Sequence, residues 1–274
     1  MNIGIISLGL IGGSILKALA DKEHNLFVCT RNPQTIEKVK KYTSNVSDNM
    51  DILKNCEIVF VASPINKTVS VLDKLENYLN KNCIVMDCSS VKEFVMKKRP
   101  YKFIASHPMA GTEKNGFDAS FSTLFQGAVW VLTPFDDTPQ EDIKKAENII
   151  NEMGAHIVIA DAKEHDKAVA LISHFPLLVS QSLFYMIKDN KLAKTLAASG
   201  FRDMTRLAMS NLEMAVDMMT FNSENIDFAM NELFKSMTFL KNAKDLKILT
   251  DIKNIRSNMY SSEGKNILHE ADKN

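Results

Sequence analysis

Ile3-Gly4-Ile5-Ile6-Ser7-Leu8-Gly9-Leu10-Ile11-Gly12-Gly13-Ser14 is the stretch that decides the fold. The apolar run Ile3 to Ile6 predicts a buried strand, and the glycines after it predict a tight turn into a helix. The turn nearly fits the G-x-G-x-x-G pattern of dinucleotide-binding β-α-β units, with Ser7 in place of the first glycine. Gly9 lets the backbone approach a pyrophosphate, and Gly12 lets the helix pack closely on the strand. The free N–H groups at the helix start, around Leu10 and Ile11, add the positive end of the helix dipole. Such turns also occur for purely structural reasons. Here a second apolar run, Leu26 to Thr30, follows at the distance that a cofactor-binding unit requires.

An NAD site usually carries Asp or Glu at the end of the second strand, where it accepts hydrogen bonds from the ribose hydroxyls. Here that position is Thr30, followed by Arg31. Thr30 offers a hydroxyl without like-charge repulsion and Arg31 can pair with a 2′-phosphate, so the pair favours NADP over NAD as cofactor. The alternative for Arg31 is a solvated loop residue. Ser63, just after the run Ile58 to Ala62, completes the candidate cofactor contacts.

Beyond this unit, β-branched runs alternate with amphipathic stretches as far as Ala160. They are Ile58 to Ala62, Cys83 to Asp87, Phe103 to Ala105, Val129 to Thr133 and His156 to Ile159. That alternation predicts an α/β domain over residues 1–160, a Rossmann-type, doubly wound parallel sheet. From Asp161 onward Met, Leu, Ala and Phe recur at three- and four-residue spacing, which predicts an all-helical C-terminal domain over 161–274. No Gly/Pro linker separates the two, so a tight junction is expected, with a cleft between the domains to hold a ligand. The last ten or so polar residues are expected to fray.

The composition suits such a protein. A chain of 274 residues with 45% hydrophobic content can bury a sizeable core, and 33 basic against 33 acidic residues leave no general attraction to nucleic acid or to an anionic membrane. The expected partner is a small molecule. Cys29, Cys56, Cys83 and Cys88 have no C-x-x-C spacing and lie in or beside apolar runs, as reduced core thiols of a cytoplasmic protein would. The run Ile3 to Leu16 is broken by glycines and lacks a preceding basic segment, so it does not read as a signal peptide. No other segment is expected to approach the ~20 apolar residues of a membrane span.

Chemistry-bearing residues gather in a few segments. Asp87-Cys88-Ser89-Ser90-Val91-Lys92 follows a strand at the sheet edge where α/β proteins place ligands, although a Ser-capped turn is a common structural element. Ser106-His107-Pro108-Met109-Ala110-Gly111-Thr112-Glu113 follows the next strand and offers His107 as a general base. The helical half carries His165-Asp166, Ser173-His174-Phe175-Pro176 and Gly200-Phe201-Arg202-Asp203-Met204-Thr205-Arg206. A zinc site is not expected, because no third ligand accompanies His165 and His174 at a suitable spacing. Blander roles exist for each: His107 as a loop brace, Arg206 as a surface charge, His174 as a satisfied core residue.

Taken in order, LGLIGGS, D-x-x-S-V-K, HPMAGTE, SHFP and GFRDMTR make the chain resemble the prephenate/arogenate (cyclohexadienyl) dehydrogenases of tyrosine biosynthesis. The resemblance implies a Rossmann domain, a helical domain for substrate binding and homodimerisation, and oxidative decarboxylation of prephenate to 4-hydroxyphenylpyruvate with NAD(P). Residue by residue it implies His107 as the base that takes the hydroxyl proton and Ser90 as that hydroxyl's hydrogen-bond partner. It further implies Arg206 as the carboxylate-binding arginine, Thr112 and His174 as substrate-pocket residues, and Glu113 and Asp166 as acidic groups near the arginine.

Two positions depart from the pattern. Leu177 stands where many prephenate-specific members carry a second histidine, which strengthens the alternative of an arogenate dehydrogenase giving tyrosine directly. Ala215 stands where some members carry Trp. The chain is also expected to lack the regulatory or mutase domains that some relatives append. Two lesser alternatives are a β-hydroxyacid dehydrogenase, which resembles this domain arrangement but carries a G-x-x-x-K helix, and a non-enzymatic nucleotide sensor, which predicts a disrupted HPM or Ser-Val-Lys turn. The helical half has no such G-x-x-x-K helix, and both motifs are intact.

Overall fold

A computed structural model describes residues 1–260. The apolar runs form one eight-stranded sheet: β1 (Asn2–Ile6), β2 (Asn25–Cys29), β3 (Val46–Ser47), β4 (Ile58–Val61), β5 (Ile84–Asp87), β6 (Lys102–Pro108), β7 (Val129–Thr133) and β8 (His156–Ile159). The spatial order is β3-β2-β1-β4-β5-β6-β7-β8. Every residue of β4 and β5 is buried, as continuous apolar runs covered on both faces require. The period-two alternation of side chains divides the interior into two cores. Ile3, Ile5, Ile58, Phe60, Ile84 and Met86 point to one, and Ile6, Val59, Val61 and Val85 to the other.

Helices α1 (Leu10–Leu19), α2 (Pro33–Val39), α3 (Ile65–Leu75) and α4 (Gln140–Glu152) connect the strands. Ile15, Leu16 and Leu19 of α1 and Ile143, Ile149 and Ile150 of α4 fill the first core, whereas Leu72 and Leu75 of α3 fill the second. The sheet is therefore doubly wound. It is not wholly parallel, because β7 pairs antiparallel with β6 and β8 then runs parallel to β7. Residues 109–128 between β6 and β7 contain only the 3₁₀ turn Phe117–Ala119, so they supply no helical crossover of the kind a parallel connection uses. The two-residue β3, paired with Val28 and Cys29, is too short to give a sequence signal.

The sheet ends at Ile159, and the Asp161 side chain caps the next helix by accepting from Lys163 N and Glu164 N. All remaining described elements are helical: α5 (Ala162–Val169), α6 (Phe175–Ile187), α7 (Lys191–Leu196), α8 (Ser199–Met204), α9 (Leu212–Phe221), α10 (Ser223–Ala243) and α11 (Leu246–Met259), with a 3₁₀ turn at Arg206–Met209. A π turn, Ala170–His174, joins α5 to α6 without a break. Pro176 explains it: the ring has no N–H and would crowd the carbonyl four residues back, and a widened turn accommodates both defects.

The joined helix Ala162–Ile187 corrects one expectation, since its 26 residues have the length and apolarity to cross a membrane. In this fold it buries His165, Asp166, His174 and Leu177. The outer faces of α6, α9, α10 and α11 expose Phe184, Val216, Phe234, Met237, Leu249 and Ile252. The expected fraying of the C-terminal tail concerns residues outside those described.

Several contacts pin the two halves together. Asp166 on α5 accepts from the backbone N–H of Lys92 (2.7 Å) and Glu93 (2.8 Å). Asp217 on α9 accepts from Asn66 N (3.3 Å) and Asn66 Nδ2 (3.0 Å) at the start of α3. Ile65 and Val91 from the sheet half form a small apolar cluster with Leu177, Ala215 and Met218.

Candidate active site

The cofactor turn has the features of a pyrophosphate cradle. Ser7 adopts φ +65°, the left-handed region that favours glycine, which explains why the usual motif has Gly there. Ser7 in this region carries strain on the order of 1–2 kcal/mol. Its N–H is anchored to Cys29 O at 3.1 Å. At Gly12 a Cβ would meet Ser7 O at 2.1 Å, so only glycine lets α1 sit against the turn. Gly9 differs, because its φ of −85° suits any residue and a Cβ there would meet no protein atom within 4 Å. Neither backbone nor packing demands glycine at position 9, and the open space over it fits the approach of a ligand.

No side chain caps α1, so the N–H groups of Leu10 and Ile11 stay available to an anion. Gly13 serves packing instead, since a Cβ there would fall 2.5 Å from Ser120 Oγ. Around the turn, Thr30 is buried at the end of β2 with its N–H on Ser47 O at 2.9 Å, and Arg31 is exposed beside it. Ser63 lies buried after β4, its hydroxyl 3.2 Å from Thr68 Oγ1.

His107 lies within strand β6, not in a loop after it, in register with Val131 of β7. The neighbouring Ser106 is fully buried: its N–H donates to Asp87 Oδ1 at 3.0 Å, its hydroxyl donates to Asp87 O at 2.5 Å, and Trp130 Nε1 donates to that hydroxyl at 3.1 Å. Behind it, fully buried Lys92 extends Nζ to Asp87 Oδ2 and Ser106 O, each at 2.5 Å, and to Ser89 Oγ at 3.2 Å. This network fixes the backbone on both sides of Ser90. Ser90 Oγ is buried and has no partner among the described residues.

His107 Nδ1 lies 3.0 Å from His165 Nε2, and the two rings meet edge to face at 78° with centroids 5.2 Å apart. His165 Nδ1 lies 2.8 Å from Asp166 Oδ1. Burial holds the His107 imidazole well below its usual proton affinity, and a charge on His165, Lys92 or His174 would depress it further. The ring is therefore neutral at pH 7.

His174 sits in the π turn, where Asn222 Nδ2 lies 3.0 Å from its Nδ1. Asn225 Nδ2 donates to Asn222 Oδ1 at 2.8 Å, which orients that amide so that His174 Nδ1 must accept. Burial lowers the His174 pKa to about 4. The neutral ring thus carries its proton on Nε2, which is buried without a partner among the described residues.

The geometry brings His107, Ser106, Asp87, Lys92, His165, Asp166, His174 and Asn222 into one network. It does not bring Arg206, Thr112 or Glu113 into contact with it. Arg206 is exposed at the start of its 3₁₀ turn, Glu113 is exposed, and Thr112 Oγ1 accepts from Lys114 N at 3.2 Å and donates to Lys114 O at 3.4 Å. Asp166, expected as an acidic group near the arginine, faces the turn that carries Ser90. It is 1% exposed and its carboxylate already accepts from two backbone N–H groups and from His165, so it supports the site from behind. Sequence reasoning weighed His165 only as a zinc ligand, yet both of its nitrogens are engaged. The overlooked signal was the adjacent acid, Asp166.

Residues 16–159 match the family model for the nucleotide-binding domain of prephenate dehydrogenase. Residues 161–251 match the model for its dimerization domain. The chain belongs to the prephenate dehydrogenase family. Its relatives include prephenate dehydrogenase of Bacillus subtilis (strain 168), 30% identical over 264 residues that cover 88% of this chain and 70% of the relative. The crystal structure of Synechocystis arogenate dehydrogenase superposes with a TM-score of 0.82 at 31% identity, covering 95% of this chain and all of that one. Prephenate dehydrogenase from A. aeolicus, in complex with hydroxyphenyl propionate and NAD+, gives a TM-score of 0.85 at 25% identity over 94% of this chain and 98% of that one. As a prephenate dehydrogenase family member, the protein is an oxidoreductase of the nicotinamide-dependent type. Leu177 and Ala215, its two departures from the family pattern, share one apolar cluster between the domains.

Proposed function

We propose that this enzyme converts prephenate to 4-hydroxyphenylpyruvate by oxidative decarboxylation, with His107 as the general base. The observation that carries the reading is the state of the His107 ring. It is neutral, its Nδ1 faces His165, and its Nε2 has no partner among the described residues. A neutral, oriented imidazole at the carboxyl edge of the sheet can accept a proton from the substrate's ring hydroxyl, a contribution of roughly 10²- to 10⁴-fold. The unpartnered Ser90 hydroxyl, on the turn that follows β5, can hydrogen-bond the same oxygen. Arg206 offers a fork for a carboxylate, and Thr112, Glu113 and His174 are the further substrate-binding residues of this reading. The turn from Ser7 to Gly12 would hold a nicotinamide dinucleotide, which would supply the hydride acceptor. Loss of CO2 restores aromaticity and drives the reaction, so what the protein mainly supplies is orientation and transfer of one proton.

Leu177 favours a second reading, an arogenate dehydrogenase. Buried among Ile65, Val91, Ala215 and Met218, it presents no ring nitrogen to a keto-acid side chain. For the cofactor, Thr30 followed by exposed Arg31, with no acid at the end of β2, favours NADP over NAD. The exposed apolar faces of α9, α10 and α11, within or adjoining the stretch that matches a dimerization domain, support a homodimer. The four unpaired thiols suit a reducing, cytoplasmic setting, and the neutral net charge suits small-molecule partners without nucleic acid or membrane. The deciding experiment assays prephenate and arogenate, each with NAD and with NADP. Turnover of prephenate above arogenate supports the main reading, the reverse order supports the second, and no turnover of either overturns both.

A further inference from the structure

The substrate and cofactor reading gives His107 a role but leaves the pair behind it unexplained. Asp166 accepts on both oxygens from donors that can only donate: Lys92 N at 2.7 Å to Oδ1 and Glu93 N at 2.8 Å to Oδ2. His165 Nδ1, 2.8 Å from Oδ1, must therefore be the donor in that contact. Where His165 holds a single proton, it lies on Nδ1 and leaves a lone pair on Nε2. That lone pair faces His107 Nδ1 at 3.0 Å, and the arrangement that completes this hydrogen bond has the His107 proton on Nδ1 and its lone pair on Nε2.

We infer that His165 and Asp166 are positioning residues that hold His107 in the tautomer able to act as base, with Nε2 free to accept the substrate proton. The inference rests on the assignment of His107 as base. When the substrate hydroxyl gives its proton to Nε2, the O–H bond breaks and an N–H bond forms. The Nδ1 proton stays in its hydrogen bond to His165, whose other nitrogen is held by the Asp166 carboxylate. The imidazolium is then faced by that polarised pair from α5, which offsets the opposing potential of Lys92, itself paired with Asp87 on β5, while the His174 ring in the π turn is neutral. The alternative tautomer of His107, with N–H on Nε2, would present a donor where an acceptor is needed. The device spans the junction, because the base is on the sheet and its orienting pair is on the first helix of the other half.

The test uses the full-length enzyme with the better of prephenate and arogenate as substrate. His165→Ala should lower kcat by about 10²-fold or more while KM and cofactor Kd stay within threefold. His165→Gln, whose side-chain carbonyl can accept from His107 Nδ1–H, should recover at least tenfold of that loss. Nitrogen-15 NMR of the histidine-labelled wild-type protein should show His107 protonated at Nδ1 and bare at Nε2, with assignment by His107→Asn. A wild-type His107 protonated at Nε2 overturns the inference, and this measurement stands even if the substitutions at 165 fail to fold. Equal kcat in the Ala and Gln variants, or kcat of His165→Ala within threefold of wild type, also overturns it. Should His107→Asn itself turn over normally, the assignment of the base fails, a distinct result.

Discussion

Lys92→Met tests the internal network on which the site is built. The Lys92 side chain is fully buried, and its ammonium serves Asp87 Oδ2, Ser106 O and Ser89 Oγ. Methionine matches the aliphatic stem, so little cavity term arises and the loss is electrostatic. Asp87, also fully buried, would keep the donors Ser89 and Ser106 N but lose its counter-charge. Stranding one member of a buried pair costs about 3–5 kcal/mol. For a chain of this size that corresponds to a fall in Tm of roughly 6–20 °C. The companion Asp87→Asn/Lys92→Met removes both charges and should recover much of the loss. Urea and thermal unfolding of wild type, both single variants and the double variant close the cycle. A cost below about 1 kcal/mol for Lys92→Met, or a double variant equal to the sum of the singles, would show that the pair is not coupled and refute the reasoning.

Other consequences are equally measurable. His107→Asn should reduce kcat by roughly 10²- to 10⁴-fold with cofactor affinity unchanged, measured by steady-state kinetics and cofactor fluorescence. Arg206→Ala should raise KM by about 10- to 100-fold, the loss of a charge-assisted bond, and an unchanged KM would remove Arg206 from the substrate site. Arg31→Ala should weaken NADP by about tenfold or more and leave NAD nearly unaffected, as read by Kd for each. His174 gives a stability signature in acid. Its folded pKa of about 4 lies below the unfolded value near 6.5, so the unfolded chain binds the extra proton between them. Stability is full above about pH 6.5 and falls as pH drops toward 4, by on the order of 3 kcal/mol from this group, and His174→Asn should flatten that slope in urea titrations at successive pH values.

The cofactor half was legible because its signals are local. Ile3 to Ile6 is an apolar run, and the turn behind it contains the glycines that Gly12's contact with Ser7 O demands. Even the departure at Ser7 was visible, although its φ of +65° was not. His107 is recognisable as a base but reads as a loop residue, because Pro108 looks like a chain breaker when in fact it ends a strand paired with Trp130. The antiparallel β7 was not legible, since strand direction is set by the path of residues 109–128 and not by composition. Asp166 shows the same limit more sharply. Its partners Lys92 N and Glu93 N lie 74 and 73 positions away, and only folding brings an acid of the helical half onto the Ser90 turn. Leu177 and Ala215 each stand out in the sequence, but their meeting in one cluster is a property of packing alone.

The π turn at Ala170–His174 makes the helix Ala162–Ile187 a shaft with a built-in phase offset. Each residue in an α-helix advances the side chains by about 100°, and a π turn absorbs one extra residue's worth of rotation. The end bearing His165 and Asp166 and the end bearing Leu177 and Ser180 are therefore set at angles that no uninterrupted α-helix of the same sequence would give. Deleting one residue within the turn would restore an unbroken α-helix with both ends in their present phase, whereas straightening the turn at the present length would turn one end against the other by about 100°. A full-length chain whose π turn was straightened would keep its circular dichroism and lose the alignment of His165 and Asp166 with Leu177 and Ser180.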